Sequence, residues 1–283
     1  MRTGRRLDQA AAWLEPSPAS AALRRALELA RVRARFPQAW RSPEALRAVA
    51  AAYAAATPGE DDLGFLAERA TLRWALGEPD AEAAAWLTRA PRAEGLDPEA
   101  WLTQPGGRLA ALAAWSAVRR GDPEAGFVGL ASAPNALRLE LDLAGYALAD
   151  SASARQVWIN RGLQHAVGSV LPLSPPLVWR FNVARAALNG GAPGPWPPRF
   201  DAAAHLLAGE LLLAEDPELA AEHFAHAADA RDAFPLAAVE GRALLLAHAA
   251  ALGEARAWEA AGRPEAAASA RARAQAWDAL APR

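Results

Sequence analysis

The chain has 283 residues and a formal net charge of −2, with 79 alanines, 38 leucines and 30 arginines but no lysine and no cysteine. Ten valines, five threonines and the single Ile159 are too few β-branched residues for a sizeable sheet, whereas Ala, Leu, Arg and Glu favour helix. An all-α protein is expected, and a disulfide framework, a thiolate metal site and a cysteine nucleophile are excluded.

Residues 1–50 hold ten arginines against Asp8, Glu15, Glu28 and Glu44, a local balance of +6. No apolar stretch of secretory length follows Arg5 and Arg6, and no run of 18 uncharged apolar residues occurs anywhere. The expectation is a cytoplasmic chain without signal peptide or membrane span. The first helix opens at Ser17-Pro18 and runs to about Phe36, with Leu23, Leu27, Ala30 and Ala34 on one face. It sets Arg24, Arg31 and Arg35, with Glu28, along one stripe. A solvated face explains such a stripe, and so does phosphate binding.

Further helices are expected over 43–56, 62–76, 80–90, 97–103, 108–120, 123–131, 135–149, 153–168, 176–188, 201–214, 217–231, 235–260 and 264–280. A recurrent corner separates many of them: a helix end, a small turn, then Pro and an acid. It reads Gly77-Glu78-Pro79-Asp80, Gly121-Asp122-Pro123-Glu124, Glu215-Asp216-Pro217-Glu218 and Gly262-Arg263-Pro264-Glu265, with Ser42-Pro43-Glu44 as a fifth copy. Gly past a helix end adopts the left-handed conformation that closes it. Pro suits the first helical position, where its missing N–H is no loss. The acid then meets the positive end of the helix dipole. Corner prolines 43, 79, 123, 217 and 264 are 36, 44, 94 and 47 residues apart. The doubled interval points to a hidden corner near 170–176. About six antiparallel helical hairpins would fill the chain. Asn189 to Pro198, rich in Gly and Pro, cannot be helical. It divides an irregular hairpin array over 1–188 from regular hairpins over 200–283, with 189–199 as the linker.

The segment from Asp201 to Pro235 resembles a tetratricopeptide repeat. Ala208 stands at the small position of that family's first helix. Ala220, Phe224 and Ala227 reproduce the Ala, aromatic and Ala spacing of its second, and Pro235 falls near the terminal proline. The hairpin ending at Trp277 keeps Ala255, Ala267 and Ala274 but has Arg271 at the aromatic place. The resemblance covers 201–281 and weakens before 150. It implies a right-handed α-solenoid that binds a protein or peptide in its groove. Trp115, Arg119, His205 and Arg256 correspond to groove-lining positions of the family. The Lys and Asn clamp that some members use for a peptide carboxylate is missing, and Gly209 stands at one such place.

Four of the five histidines, His205, His223, His226 and His248, fall between 201 and 250. Zinc would want about three converging ligands, and spacing alone implies no convergence. Eight tryptophans on expected helices (Trp74, Trp86, Trp101, Trp115, Trp158, Trp179, Trp258 and Trp277) suit the gaps of an alanine-rich core. Trp196 lies in the linker, where it is expected to be pinned to the array. No phosphate-binding Gly-Lys loop, Gly-x-Ser-x-Gly elbow or His-Glu-x-x-His site is present. The reading is a non-catalytic scaffold or adaptor for a protein or peptide, with no cofactor. The alternatives are a nucleic-acid-binding array using the Arg-rich half, a small-ligand sensor or enzyme near the histidines, and self-association through the acidic stretch 201–240, where nine carboxylates face Arg231 alone.

Overall fold

The computed structural model describes residues 18–58, 62–76, 98–130, 133–229 and 237–278. The helix expected over 80–90, the Pro79 corner and Trp86 lie outside the described residues, as do the side chains of Arg119 and Trp277. Thirteen α-helices and one 3-10 helix form the described part, which contains no strand. They are α1 (Pro18–Arg33), a 3-10 helix (Phe36–Arg41), α2 (Pro43–Ala55), α3 (Leu63–Ala75), α4 (Pro98–Thr103), α5 (Pro105–Arg119) and α6 (Pro123–Gly129). Then follow α7 (Asn135–Leu148), α8 (Ala152–Val167), α9 (Pro175–Asn189), α10 (Ala202–Leu212), α11 (Pro217–Asp229), α12 (Ala237–Ala260) and α13 (Pro264–Asp278). No described helix is long and apolar enough to cross a membrane.

The corner chemistry accounts for many boundaries. Gly121 and Gly262 have φ of +76° and +70°. The next residue then reaches back, Asp122 N–H to the Ala117 carbonyl at 3.0 Å and Arg263 N–H to the Trp258 carbonyl at 2.8 Å. These bonds satisfy carbonyls that the ending helix leaves open. On the opening side, Ser42 Oγ accepts from Ala45 N–H, Asp122 Oδ1 from Ala125 N–H and Asp216 Oδ1 from Leu219 N–H, at 3.0–3.1 Å. Proline occupies the first helical position in α2, α6, α11 and α13. Where a hidden corner is expected, α9 begins at Pro175 after Ser174, with no acid in its first turn and no side-chain cap.

Packing runs through a series of small cores. The first gathers Leu29, Phe36, Leu46, Tyr53 and Phe65, with Tyr53 stacked on Phe65 at 4.6 Å between ring centres. The second joins α3, α4, α5 and α7 around Trp74, Trp101, Leu109 and Leu141. A third joins α7, α8 and α9 through Leu139, Ile159, Leu177 and Phe181. Trp179 and Val183 of α9 then meet Ala204 and Ala208 of α10. Of the tryptophans expected in the core, Trp74, Trp101, Trp158 and Trp179 are buried, and Trp115 and Trp258 are half-buried.

Buried carboxylates clip helices that are far apart in sequence. Glu68 accepts from Tyr53 Oη at 2.7 Å and from Arg33 Nε and Nη2 at 2.9 Å each. Burial, together with the Glu68 charge, pushes the Tyr53 hydroxyl far above its ordinary pKa, so it remains a donor. Adjacent helices also approach closely at glycine. A Cβ at Gly145 of α7 would lie 2.4 Å from the Trp158 ring of α8. Gly145→Ala is therefore expected to destabilise the chain by about 1–3 kcal/mol through overpacking, read as a lower urea midpoint. Contacts also reach beyond sequence neighbours, because α12 packs on α3 and α5 as well as on α10, α11 and α13.

Candidate functional site

The three helices α10, α11 and α12 meet around one ring. Phe224 of α11 is fully buried, among Ala220, Ala221 and Ala257. Its ring occupies the space in front of two glycines. A Cβ at Gly209 of α10 would lie 2.8 Å from it, and one at Gly253 of α12 would lie 2.5 Å from it. The aromatic side chain of one hairpin thus wedges between its own partner helix and the first helix of the next hairpin. Gly209 is required by this wedge. A second link fixes α12 to α13, where buried Glu254 accepts from Trp258 Nε1 at 3.2 Å and pairs with Arg273.

Alanines at these crossings leave little side-chain volume, and α10, α12 and α13 enclose a groove of about 540 Å³. Leu206 of α10, Ala249, Leu252 and Ala255 of α12 and Ala274 of α13 supply its apolar lining. Leu252 is 43 % exposed. Charged pairs stand at the edge: Arg256 with Glu210 across α12 and α10, and Arg271 with Glu259 across α13 and α12. Such a surface offers one apolar contact bordered by hydrogen-bonding groups of both signs.

A second cluster lies where the Gly- and Pro-rich segment meets α9, α10 and α11. Trp196, 47 % exposed, stacks on buried Trp179 with ring centres 5.3 Å apart, and Phe200 packs edge-on against Trp179. His205 Nδ1 of α10 and His223 Nδ1 of α11 are 3.0 Å apart, so one nitrogen donates while the other accepts. The His226 ring centre lies 5.1 Å from that of His205. Three of the four histidines singled out in the sequence therefore converge. His248 sits half-buried on α12. Among the described residues no group of three or more His, Cys, Asp or Glu is placed to hold a metal ion.

Burial lowers the His205 pKa to about 4, with further lowering by the charges of His223 and His226 against the pull of Asp201. Burial and then His226 lower that of His223, opposed by Glu222. A folded-state pKa below the ordinary 6.5 means that the neutral pair adds stability above pH 6.5, and that this is lost as the pH falls towards about 4. The thermal midpoint should accordingly drop across that window. His205→Gln, which cannot titrate, should flatten the drop, and an unchanged slope would refute the assignment.

A third polar cluster was not visible in the sequence. Asp142 of α7 is buried and lies 2.6 Å from His165 Nδ1 of α8. Burial raises its pKa, and the hydrogen bond to His165 only partly offsets that. Arg161 spans the same interface, pairing with Glu124 of α6 and covering the faces of Trp158 and Phe127 at 4.4 and 4.5 Å. The group ties α6, α7 and α8 together.

The remaining candidates are scattered. Arg256 borders the groove, but His205 turns towards α11. Trp115 packs against the core shared by α3 and α5. Arg119 ends α5, and its side chain is outside the described residues. Arg24 and Arg31 are half-buried, while Arg35 lies beyond the end of α1 and is exposed. The stripe therefore does not continue as one helical face. No known family model, curated protein or solved structure matches the chain.

Proposed function

We propose that the chain is a non-catalytic, cytoplasmic scaffold whose hairpins stack as a tetratricopeptide-like solenoid and bind a segment of a partner protein in the groove between α10, α12 and α13. The observation that carries this reading is the exposed Leu252, set among alanines and flanked by the Arg256–Glu210 pair. Interface energy concentrates where an apolar anchor enters a pocket and polar groups close the rim. An amphipathic helix carrying one large apolar side chain, with an acid and a base on either side of it, matches that lining.

Leu252→Glu tests the reading at a position that is 43 % exposed, with circular dichroism checking the fold of the variant. Immobilised wild-type chain should recover one dominant protein from source-cell lysate after nuclease treatment. The variant should lose it by roughly tenfold or more. Equal recovery by wild type and variant would contradict the groove as the site. Recovery that requires intact nucleic acid would instead favour a nucleic-acid-binding array.

A further inference from the structure

Helix α8 presents one face to solvent from its second residue to its last. Ser153, Val157, Asn160, Gln164 and Val167 follow one another at intervals of four, three, four and three residues, and each is exposed. That spacing keeps them on a single stripe, the kind of seam along which one helix packs lengthwise on another. Val157 is 55 % exposed and Val167 79 %, and exposed Leu163 borders the stripe. The ionisable side chains of α8 all turn elsewhere. Arg155 donates to the Ala149 carbonyl and covers the Tyr146 ring, Arg161 pairs with Glu124, and His165 meets Asp142. The stripe consists of two valines, two amides and a serine, and it carries no charge. It also reads alike in both directions: about residue 162, Val157 mirrors Val167 and Asn160 mirrors Gln164.

We infer that α8 pairs with α8 of a second copy of the chain, antiparallel about a twofold axis at residue 162. Val157 of each copy then meets the partner's Val167, and Asn160 meets the partner's Gln164. Pairing about a twofold requires a self-complementary surface. A charge near the axis would oppose its own like, and this stripe has none. An amide carries both donor and acceptor, so it bonds to another amide, whereas a carboxylate only accepts and a guanidinium only donates. Gln156 Nε2 already donates to Asn160 Oδ1 at 2.9 Å, which orients that amide and leaves its NH2 for Gln164 across the axis. Charged residues are depleted at the core of protein interfaces, and the Arg161–Glu124 pair supplies a polar flank. A lipid surface would call for cations beside the apolar residues, and both arginines of α8 are engaged elsewhere. The stripe shares no residue with the groove of α10, α12 and α13, so the pairing is independent of that site.

Analytical ultracentrifugation of the full chain is the test. The mass should rise from 29.8 kDa towards twice that value with concentration. The dimer should persist at about 0.5 M salt, where exposed charges are largely screened. Val157→Asp and Val167→Arg should each weaken it by roughly tenfold or more, because each sets a charge against an apolar side chain. Mixed in equal amounts, these two variants should form a heterodimer, since the new acid then faces the new base. Both positions are exposed, and circular dichroism checks the fold of each variant. A single helix pair is a small interface, so the concentrations tested extend to about 0.5 mM. A mass that stays at 29.8 kDa over that range overturns the inference, as does a dimer indifferent to Val167→Arg. A dimer that dissociates with salt overturns it in favour of ionic assembly through the acidic stretch 201–240. A mixture no heavier than its separate components overturns it as well, because a parallel pair would set each valine against its own copy.

Discussion

Phe224→Ala should cost about 3–5 kcal/mol of stability, the range for removing a buried aromatic ring from a site that cannot collapse. The ring is fully buried and fills the space in front of Gly209 and Gly253, on two different helices. Neither glycine has a side chain to move into the vacancy, so the cavity persists. Phe224→Leu should lose much less, because part of the volume remains. Urea unfolding measures the difference, and amide hydrogen exchange locates it. Protection should fall first in α10, α11 and α12. A uniform loss across all helices, or a change below about 1 kcal/mol, would show that the wedge does not hold these hairpins together.

Arg180→Met should be of similar size for a different reason. Arg180 of α9 is almost completely buried. It donates to both carboxylate oxygens of Glu140 on α7 and stands 3.5 Å from Asp201 Oδ2 at the start of α10. Removing one member of a buried pair leaves an uncompensated charge, at a cost of about 3–5 kcal/mol. Replacing both, as Arg180→Met with Glu140→Leu, removes that charge and should restore much of the loss. The two single variants and the double form a cycle read by chemical denaturation. If the double variant were no more stable than Arg180→Met, buried charge would not be the cause.

The same contrast separates what the sequence shows from what it hides. Helix boundaries were legible where the chemistry is local. Gly121-Asp122-Pro123 and Gly262-Arg263-Pro264 each carry the turn, the following first-turn proline and an acid within five residues. The N-terminal helix shows the limit. Its apolar spacing extends to Phe36, yet α1 stops at Arg33 and a 3-10 helix covers Phe36–Arg41. Pro37 has no N–H to bond the Arg33 carbonyl, and in a continued α-helix its ring would clash with that carbonyl. Arg35 therefore leaves the stripe assigned to it.

The sites depend on which helix faces meet, and periodicity within one helix does not contain that. His205 and His223 converge because α10 and α11 are rotated so that these faces adjoin. Asp142 and His165, or Arg180 and Glu140, pair across 23 and 40 residues with nothing in the intervening chain to signal it. Phe224 was recognisable from its Ala, aromatic, Ala spacing. The glycines that receive it emerge only from packing.

The most direct measurement of the proposed function places a photo-crosslinking residue at Leu252 in the groove and, as a control, at the exposed Val128 on α6. Position 252 should give one dominant nuclease-insensitive adduct in source-cell lysate, missing from position 128 and lost when Arg256→Glu is added. Identical adduct patterns from both positions, or an adduct at 252 that disappears with nuclease, would contradict it.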